Sequence, residues 1–267
     1  MTTIRTIDVR GARLHCEIRG SGPLLLLMGS PMPAAPFAGL ADALAAERTV
    51  VTHDPRGIAG SPLDDPEEDS TPDLRADDVA AVMDALGAES ADVFGSSGGA
   101  VTGLALAARH PARVRTLVAH EPPLMELLPD AAEQRAEVEE LVATFHREGV
   151  VAAWRRFMST AGFDSGEDAG PPPGDDPGQD LADGARFFGH ELLGTATYVP
   201  DFAALAAGPF RVVVGVGAES RGLSTYRTSE ALAERLGTST TEFPGDHGGF
   251  MGHPKEFADV LREVLKS

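Results

Sequence analysis

Cysteine is nearly absent from this chain: Cys16 is the only one among 267 residues. That excludes an internal disulfide, and the alternating stretch "RLHCEI" around it reads as a strand with a core thiol. Positive charge is scarce too, with 22 basic residues against 41 acidic ones and a formal charge of −19. Such a surface repels phosphate backbones and anionic membranes, so neither nucleic acid nor a membrane is an expected partner; solubility is the plain reading of the acid. The run "LLLLM" at 24–28 is far too short to cross a bilayer, and "MTTIRTIDVRG" at the start lacks the apolar core of a signal peptide. The expected location is the cytoplasm, as a monomer or homodimer. No pair of the eight histidines has metal-ligand spacing, and no aromatic or basic pattern marks a cofactor site, so no metal and no cofactor is expected.

What is present is alternation. Thr6–Val9 and Leu14–Ile18 read as a hairpin turned at Gly11. "PLLLLMGS" reads as a strand buried on both faces, "PFAGLADALAAE" as a helix and "RTVVTHDPRG" as a strand ending at Asp54. "TPDLRADDVAAVMDALGA" opens on a Thr-Pro start, spaces Leu74, Val79, Val82, Met83 and Leu86 as a helix does, and stops at Gly87. "ADVFG" is the next strand, Gly99 to His110 the next helix and "RVRTLVAHE" another strand. Strands alternating with helices imply parallel βαβ units and an α/β sheet. After Glu121 the pattern turns helical, with helices expected over 131–147, 149–160, 181–193 and 201–207 and a Pro/Gly/Asp-rich loop over 162–180. Alternation resumes with "FRVVVGVG", a helix over 224–236, the strand signal in "TTEFPGDHGG" and a terminal helix over 254–266. The expected organisation is therefore a core of 1–121 and 209–267 carrying a helical cap of 122–208.

The chemistry centres on "GSSGG" at 95–99. It fits G-x-S-x-G, follows an apolar strand and precedes a helix, the context in which that motif lifts a serine above a sheet edge. Ser97 is the candidate nucleophile, and Ser96 supports the turn. A serine hydroxyl is a weak nucleophile and needs a base. His247, in the glycine-rich "EFPGDHGGF" after the last strand signal, is placed for it; His253 is the better fit to a helix start. The base needs an orienting acid, and two carboxylates follow sheet strands: Glu121 after "RVRTLVAHE" and Glu219 after "VVVGVGAES". Both keep the chain order serine, acid, histidine. An oxyanion needs two N–H donors, and the candidates are Gly98, just after the serine, and Ser30, after the third strand; Pro31 has no N–H to give.

These motifs together resemble the α/β-hydrolase fold family: Gly29-Ser30 after the third strand, "DPRGIAGS" after the fourth, "GSSGG" at the turn and "GDHGG" at the base. The resemblance runs over nearly the whole chain. It implies a mostly parallel eight-stranded sheet with helices on both faces and a helical cap inserted after strand six. Met28-Gly29 stands where many members have His-Gly, which leaves the backbone donor intact. Ser97 argues against the dehalogenases and epoxide hydrolases of this fold, which use an aspartate. Most members carry the acid after the seventh strand as Asp, where this chain has Ser220. Zearalenone-type lactonases place a Glu after the sixth strand, and "HEPP" at 120–123 is similar in kind and position, which ranks Glu121 above Glu219.

The cap region holds the single tryptophan, Trp154, with Met158, Phe188 and Tyr198; Leu124 and Met125 precede them, and Met32 stands near the oxyanion loop. A pocket built from these suits a small apolar ester or lactone. The expected activity is hydrolysis of a carboxylic ester or lactone through an acyl-enzyme on Ser97. The alternatives are C–C bond hydrolysis or cofactor-free perhydrolysis on the same residues, or a ligand-binding role without catalysis.

Overall fold

Every residue of Leu24–Met28 is buried, which a strand achieves only with layers on both of its sides. A computed structural model of the chain describes residues 1–160 and 176–266. Among these the strands are β1 (Thr2–Val9), β2 (Ala12–Arg19), β3 (Leu24–Met28), β4 (Thr49–His53), β5 (Ala91–Ser96), β6 (Val114–His120), β7 (Arg211–Gly217) and β8 (Thr240–Phe243). They form one sheet in the order β1-β2-β4-β3-β5-β6-β7-β8. β1 and β2 form an antiparallel hairpin, β2 is antiparallel to β4, and all other pairs are parallel. The fold is therefore the expected mostly parallel eight-stranded α/β-hydrolase architecture.

The helices are α1 (Ala38–Leu44), α2 (Pro72–Ala85), α3 (Gly98–Arg109), α4 (Ala131–Glu148), α5 (Val150–Thr160), α6 (Pro177–His190), α7 (Leu192–Ala196), α8 (Phe202–Ala207), α9 (Ser224–Arg235), α10 (Gly249–Gly252) and α11 (Pro254–Lys266). Side chains alternate across β3: Leu24, Leu26 and Met28 join a core with Val79 and Met83 of α2, Leu104 of α3 and Leu232 of α9. Leu25 and Leu27 join the opposite core with Leu40 and Leu44 of α1 and Phe257 and Leu261 of α11. Period-two alternation thus sorts the strand's side chains between helices on the two faces. α4 to α8 lie between β6 and β7 in the chain, and a third cluster of Leu141, Trp154, Phe187, Phe188 and Leu192 holds four of them together.

Most expected elements stand within a few residues of their observed limits. The hairpin is longer than expected, because β1 starts at Thr2 and pairs in register as far as Arg19. The expected loop over 162–180 lies mostly in 161–175, outside the described residues. Its last part is already helix. Asp176 accepts from the N–H groups of Gly178 (2.9 Å) and Gln179 (3.3 Å), and Pro177 occupies the first turn, so α6 starts there rather than at 181. Among the described residues no helix is long and apolar enough to cross a membrane.

Two imidazoles are sealed in this core, and burial pushes both His53 and His120 down to about 4. Their folded values lie below the usual 6.5, so the unfolded chain binds more protons between about 6.5 and about 4. Stability is expected to fall as pH drops through that window, with a proton uptake on unfolding that approaches two. Urea unfolding midpoints followed from about pH 7 to about pH 4.5 check this; a flat stability profile there would contradict it.

Candidate active site

β5 runs straight into α3 with a single residue, Ser97, at the corner. Its backbone has φ 55° and ψ −125°, a region that costs a non-glycine residue about 1–3 kcal/mol. Two things hold it there. Its N–H donates to the carbonyl of His120 at 2.9 Å. The helix behind it packs so close to β3 that a Cβ on Gly99 would lie 2.2 Å from the carbonyl oxygen of Met28. Only glycine permits that approach. Ser96 points the other way, buried, with its hydroxyl 3.2 Å from Nδ1 of His120.

The next parallel strand supplies a carboxylate. Glu121 follows β6 with φ 49°, its N–H donating to the carbonyl of Gly215 at 3.0 Å. The residue is wholly buried. Its Oε1 accepts from the N–H of Gly217 at 2.9 Å, and its Oε2 from Nδ1 of His247 at 2.6 Å and from Thr225 Oγ1 at 3.4 Å. Burial works against ionisation, but the hydrogen bond and charge of His247, the neighbouring His120 and the Gly217 N–H outweigh it and hold the carboxyl at about 2. An ionised carboxylate only accepts, so Nδ1 of His247 carries the proton and Nε2 of the neutral ring is left as the base. The His120 ring lies 6.3 Å from that of His247, so one buried histidine touches the backbone of Ser97, the hydroxyl of Ser96 and the neighbourhood of the base.

Glu219, the other carboxylate, is exposed on the connection from β7 to α9, and its N–H donates to the carbonyl of Gly245 at 3.0 Å. Ser220 beside it is fully buried, and among the described residues its hydroxyl has no partner.

Ser30 and Gly98 meet backbone to backbone. A Cβ on Gly98 would stand 2.4 Å from the carbonyl oxygen of Ser30, so the turn after β3 and the start of α3 are in contact. The Ser30 side chain is buried, and its hydroxyl donates to Oε1 of Glu191, which lies between α6 and α7. Arg75 of α2 stands 3.6 Å from the same oxygen. Sequence reasoning passed over Arg75, Thr102 and Glu191, because nothing local distinguishes them from surface residues on amphipathic helices.

The apolar residues named from the sequence fall into separate groups. Met32 is half-buried against the α1–α11 core and Leu124 is wholly buried in the opposite one. Trp154 and Phe188 are buried in the third cluster, Trp154 stacked on Phe187 at 5.6 Å, with Met125 packed against it. Met158 is half-buried on α5. Tyr198 is half-buried too, and its hydroxyl donates to Asp73 at 3.0 Å.

The sequence model of the alpha/beta hydrolase fold matches residues 22–152. A protein of Bacillus subtilis (strain 168) named "Uncharacterized hydrolase YraK" is 36% identical over 268 residues, covering 98% of this chain and 95% of that one. The chain belongs to the α/β-hydrolase fold family. Two solved structures share the architecture. A thermophilic esterase from Thermogutta terrifontis has a TM-score of 0.76 at 20% identity, over 100% of this chain and 98% of that one. The enol-lactonase from Burkholderia xenovorans LB400 has a TM-score of 0.66 at 20% identity, over 98% of this chain and 100% of that one.

The tight corner makes a testable demand. Gly99→Ala forces a Cβ against the Met28 carbonyl, which cannot yield without parting α3 from β3; a loss of more than about 3 kcal/mol is expected. Gly252→Ala, at a helical position with nothing within 4 Å, is the control and should be close to neutral. Denaturant unfolding of the two variants checks the difference.

Proposed function

We propose that the chain is a serine hydrolase that cleaves a carboxylic ester or lactone through an acyl-enzyme on Ser97. The observation that carries this reading is the 2.6 Å contact between His247 Nδ1 and a wholly buried, ionised Glu121, on the same sheet edge as a serine held at a strained strand-to-helix corner. A structural carboxylate seldom stays charged in a core without a task for its partner.

Nε2 of His247 takes the proton from Ser97 Oγ as that oxygen bonds to the substrate carbonyl carbon. The carbonyl oxygen becomes an oxyanion, received by the N–H groups of Ser30 and Gly98; each such donor is worth about 3–4 kcal/mol in the transition state. The imidazolium, paired with Glu121, then protonates the leaving alkoxide, which in a lactone stays tethered to the acyl group. Water next gives its proton to Nε2 and attacks the acyl carbon, and collapse of the second tetrahedral adduct returns the proton to Ser97. Glu121 holds the tautomer and balances the imidazolium but keeps no proton itself.

Residues 122–208 act as the cap over the 1–121 and 209–267 core in this reading, and the half-buried Met125, Met158 and Tyr198 that it carries favour an apolar acyl or alcohol part. The esterase and enol-lactonase named among the structural neighbours carry chemistry of this class. Met32, Leu124, Met125, Trp154, Met158, Phe188 and Tyr198 remain the candidates for substrate contact. The half-buried Met32, Met125, Met158 and Tyr198 are better placed for it than the packed Leu124, Trp154 and Phe188.

A fluorophosphonate label is expected to modify the wild type and spare Ser97→Ala, which should fold and lose nearly all activity. Glu121→Gln should cost several orders of magnitude in kcat and Glu219→Gln little; the opposite ranking would reassign the acid. The acid limb of kcat/KM above about pH 5 should have a slope of one, because Glu121 stays ionised down to about 2 and His120 stays neutral down to about 4. A slope of two there would mean that a second group titrates with the base.

A further inference from the structure

A buried ion pair at the foot of the helical segment is linked to both residues proposed as oxyanion donors, through the Ser30 hydroxyl and the Gly98 carbonyl. Arg75 and Glu191 are each almost wholly buried and stand 3.6 Å apart. Glu191 Oε1 accepts the hydroxyl proton of Ser30. Arg75 Nε donates to Thr102 Oγ1 at 2.9 Å, and that hydroxyl donates to the carbonyl of Gly98 at 3.1 Å. Arg75 also reaches into the helical segment, donating from Nη2 to Thr195 Oγ1 of α7 at 2.9 Å. One charge pair therefore ends in Ser30 on one side and in Gly98 on the other.

Stability alone is a poor reason for such a pair. Two desolvated charges seldom hold a fold better than apolar side chains of similar volume. Directional hydrogen bonds, in contrast, fix local conformation: here they hold the Ser30 side chain by its hydroxyl and the Gly98–Gly99 peptide by its carbonyl, each one step from a proposed N–H donor. Among the described residues Oε2 of Glu191 has no hydrogen-bond partner, whereas Oε1 is held by the Ser30 hydroxyl.

We infer that Arg75 and Glu191 are positioning residues that aim the Ser30 and Gly98 N–H groups at the oxyanion, and that docking of the segment carrying Glu191 and Thr195 completes the hole. This rests on the reading of Ser30 and Gly98 as the oxyanion donors. The hole of this enzyme is thus organised from the cap side as well as from the sheet.

Arg75→Met/Glu191→Leu removes the two charges of the pair together but takes a counter-charge from the buried Arg186, so it is expected to fold with a Tm below that of the wild type. With p-nitrophenyl butyrate its kcat should fall by about one to two orders of magnitude while KM changes by less than about threefold. Affinity for butylboronic acid, whose tetrahedral serine adduct puts an oxygen in the hole, should fall by a similar factor, a change that a merely structural role would not produce. Ser30→Ala keeps the N–H, loses the tie to Glu191 and should lower kcat by about tenfold; it carries the test if the double variant does not fold. Wild-type kcat and boronate affinity in either folded variant would overturn the inference. Ser97→Ala is assayed alongside. If it is inactive while the other variants behave as wild type, only the positioning role fails. If it stays active, the serine mechanism fails and takes this inference with it.

Discussion

Parallel pairing ties the carboxyl ends of the central strands to a common edge. Met28 pairs with Gly95, Ser96 with His120, His120 with Gly215, and Gly217 with Phe243, so β3, β5, β6, β7 and β8 all finish close to one line. Residues just past those ends stand along that edge, Ser30 against Gly98, Ser97 against His120 and Glu121 against His247, the last pair 126 positions apart in the chain. The crossover helices that parallel pairing requires cover both faces of the sheet, which makes the interior dry. A charge such as that of Glu121 then persists only with partners, and the sheet edge provides them in the Gly217 N–H and the His247 ring.

Strain is concentrated at the same edge. Ser97 and Glu121 both have positive φ, and each is held by a backbone hydrogen bond to the neighbouring strand: Ser97 to His120, and Glu121 to Gly215. The sheet's ladder is continued one residue past each strand, and that extra bond offsets the unfavourable backbone geometry. The polar groups off the edge follow the same logic. Arg75, Thr102, Ser30 and Glu191 come from four different segments, and each satisfies part of another's hydrogen-bonding need in a space that water does not reach.

Periodicity and turn chemistry carry most of the architecture in the residues themselves. Alternation of apolar strands with helical spacing implies the parallel sheet. The Thr71-Pro72 start, with the Thr71 hydroxyl accepting from the N–H of Leu74, sets the beginning of α2, and small residues at 95–99 mark the corner at Ser97. The start of α6 was less legible, because Asp176-Pro177 in a stretch rich in Asp, Pro and Gly is equally good turn chemistry until its cap hydrogen bonds form. Membership of the apolar clusters was not legible either. Trp154 and Phe188 have the composition of a pocket wall, yet Trp154 stacks on Phe187 and both are packed as core.

The order of strands and helices, the corner residue and the histidine loop are therefore properties of local sequence, since propensity, spacing and glycine placement act over a few residues. The carboxylate that meets His247 is different. Glu121 and Glu219 each follow a strand; the "HEPP" resemblance and Ser220 at the usual Asp position rank Glu121 first, but local sequence does not set how deeply either acid is buried. Register and depth decide: the end of β6 lies between β5 and β7 in the sheet, so Glu121 turns inward under neighbours on both sides, whereas Glu219 stands out on a surface connection. Burial and long-range hydrogen bonding are properties of the assembled sheet, and the network from Glu191 to Gly98 exists only once segments more than ninety residues apart have packed together.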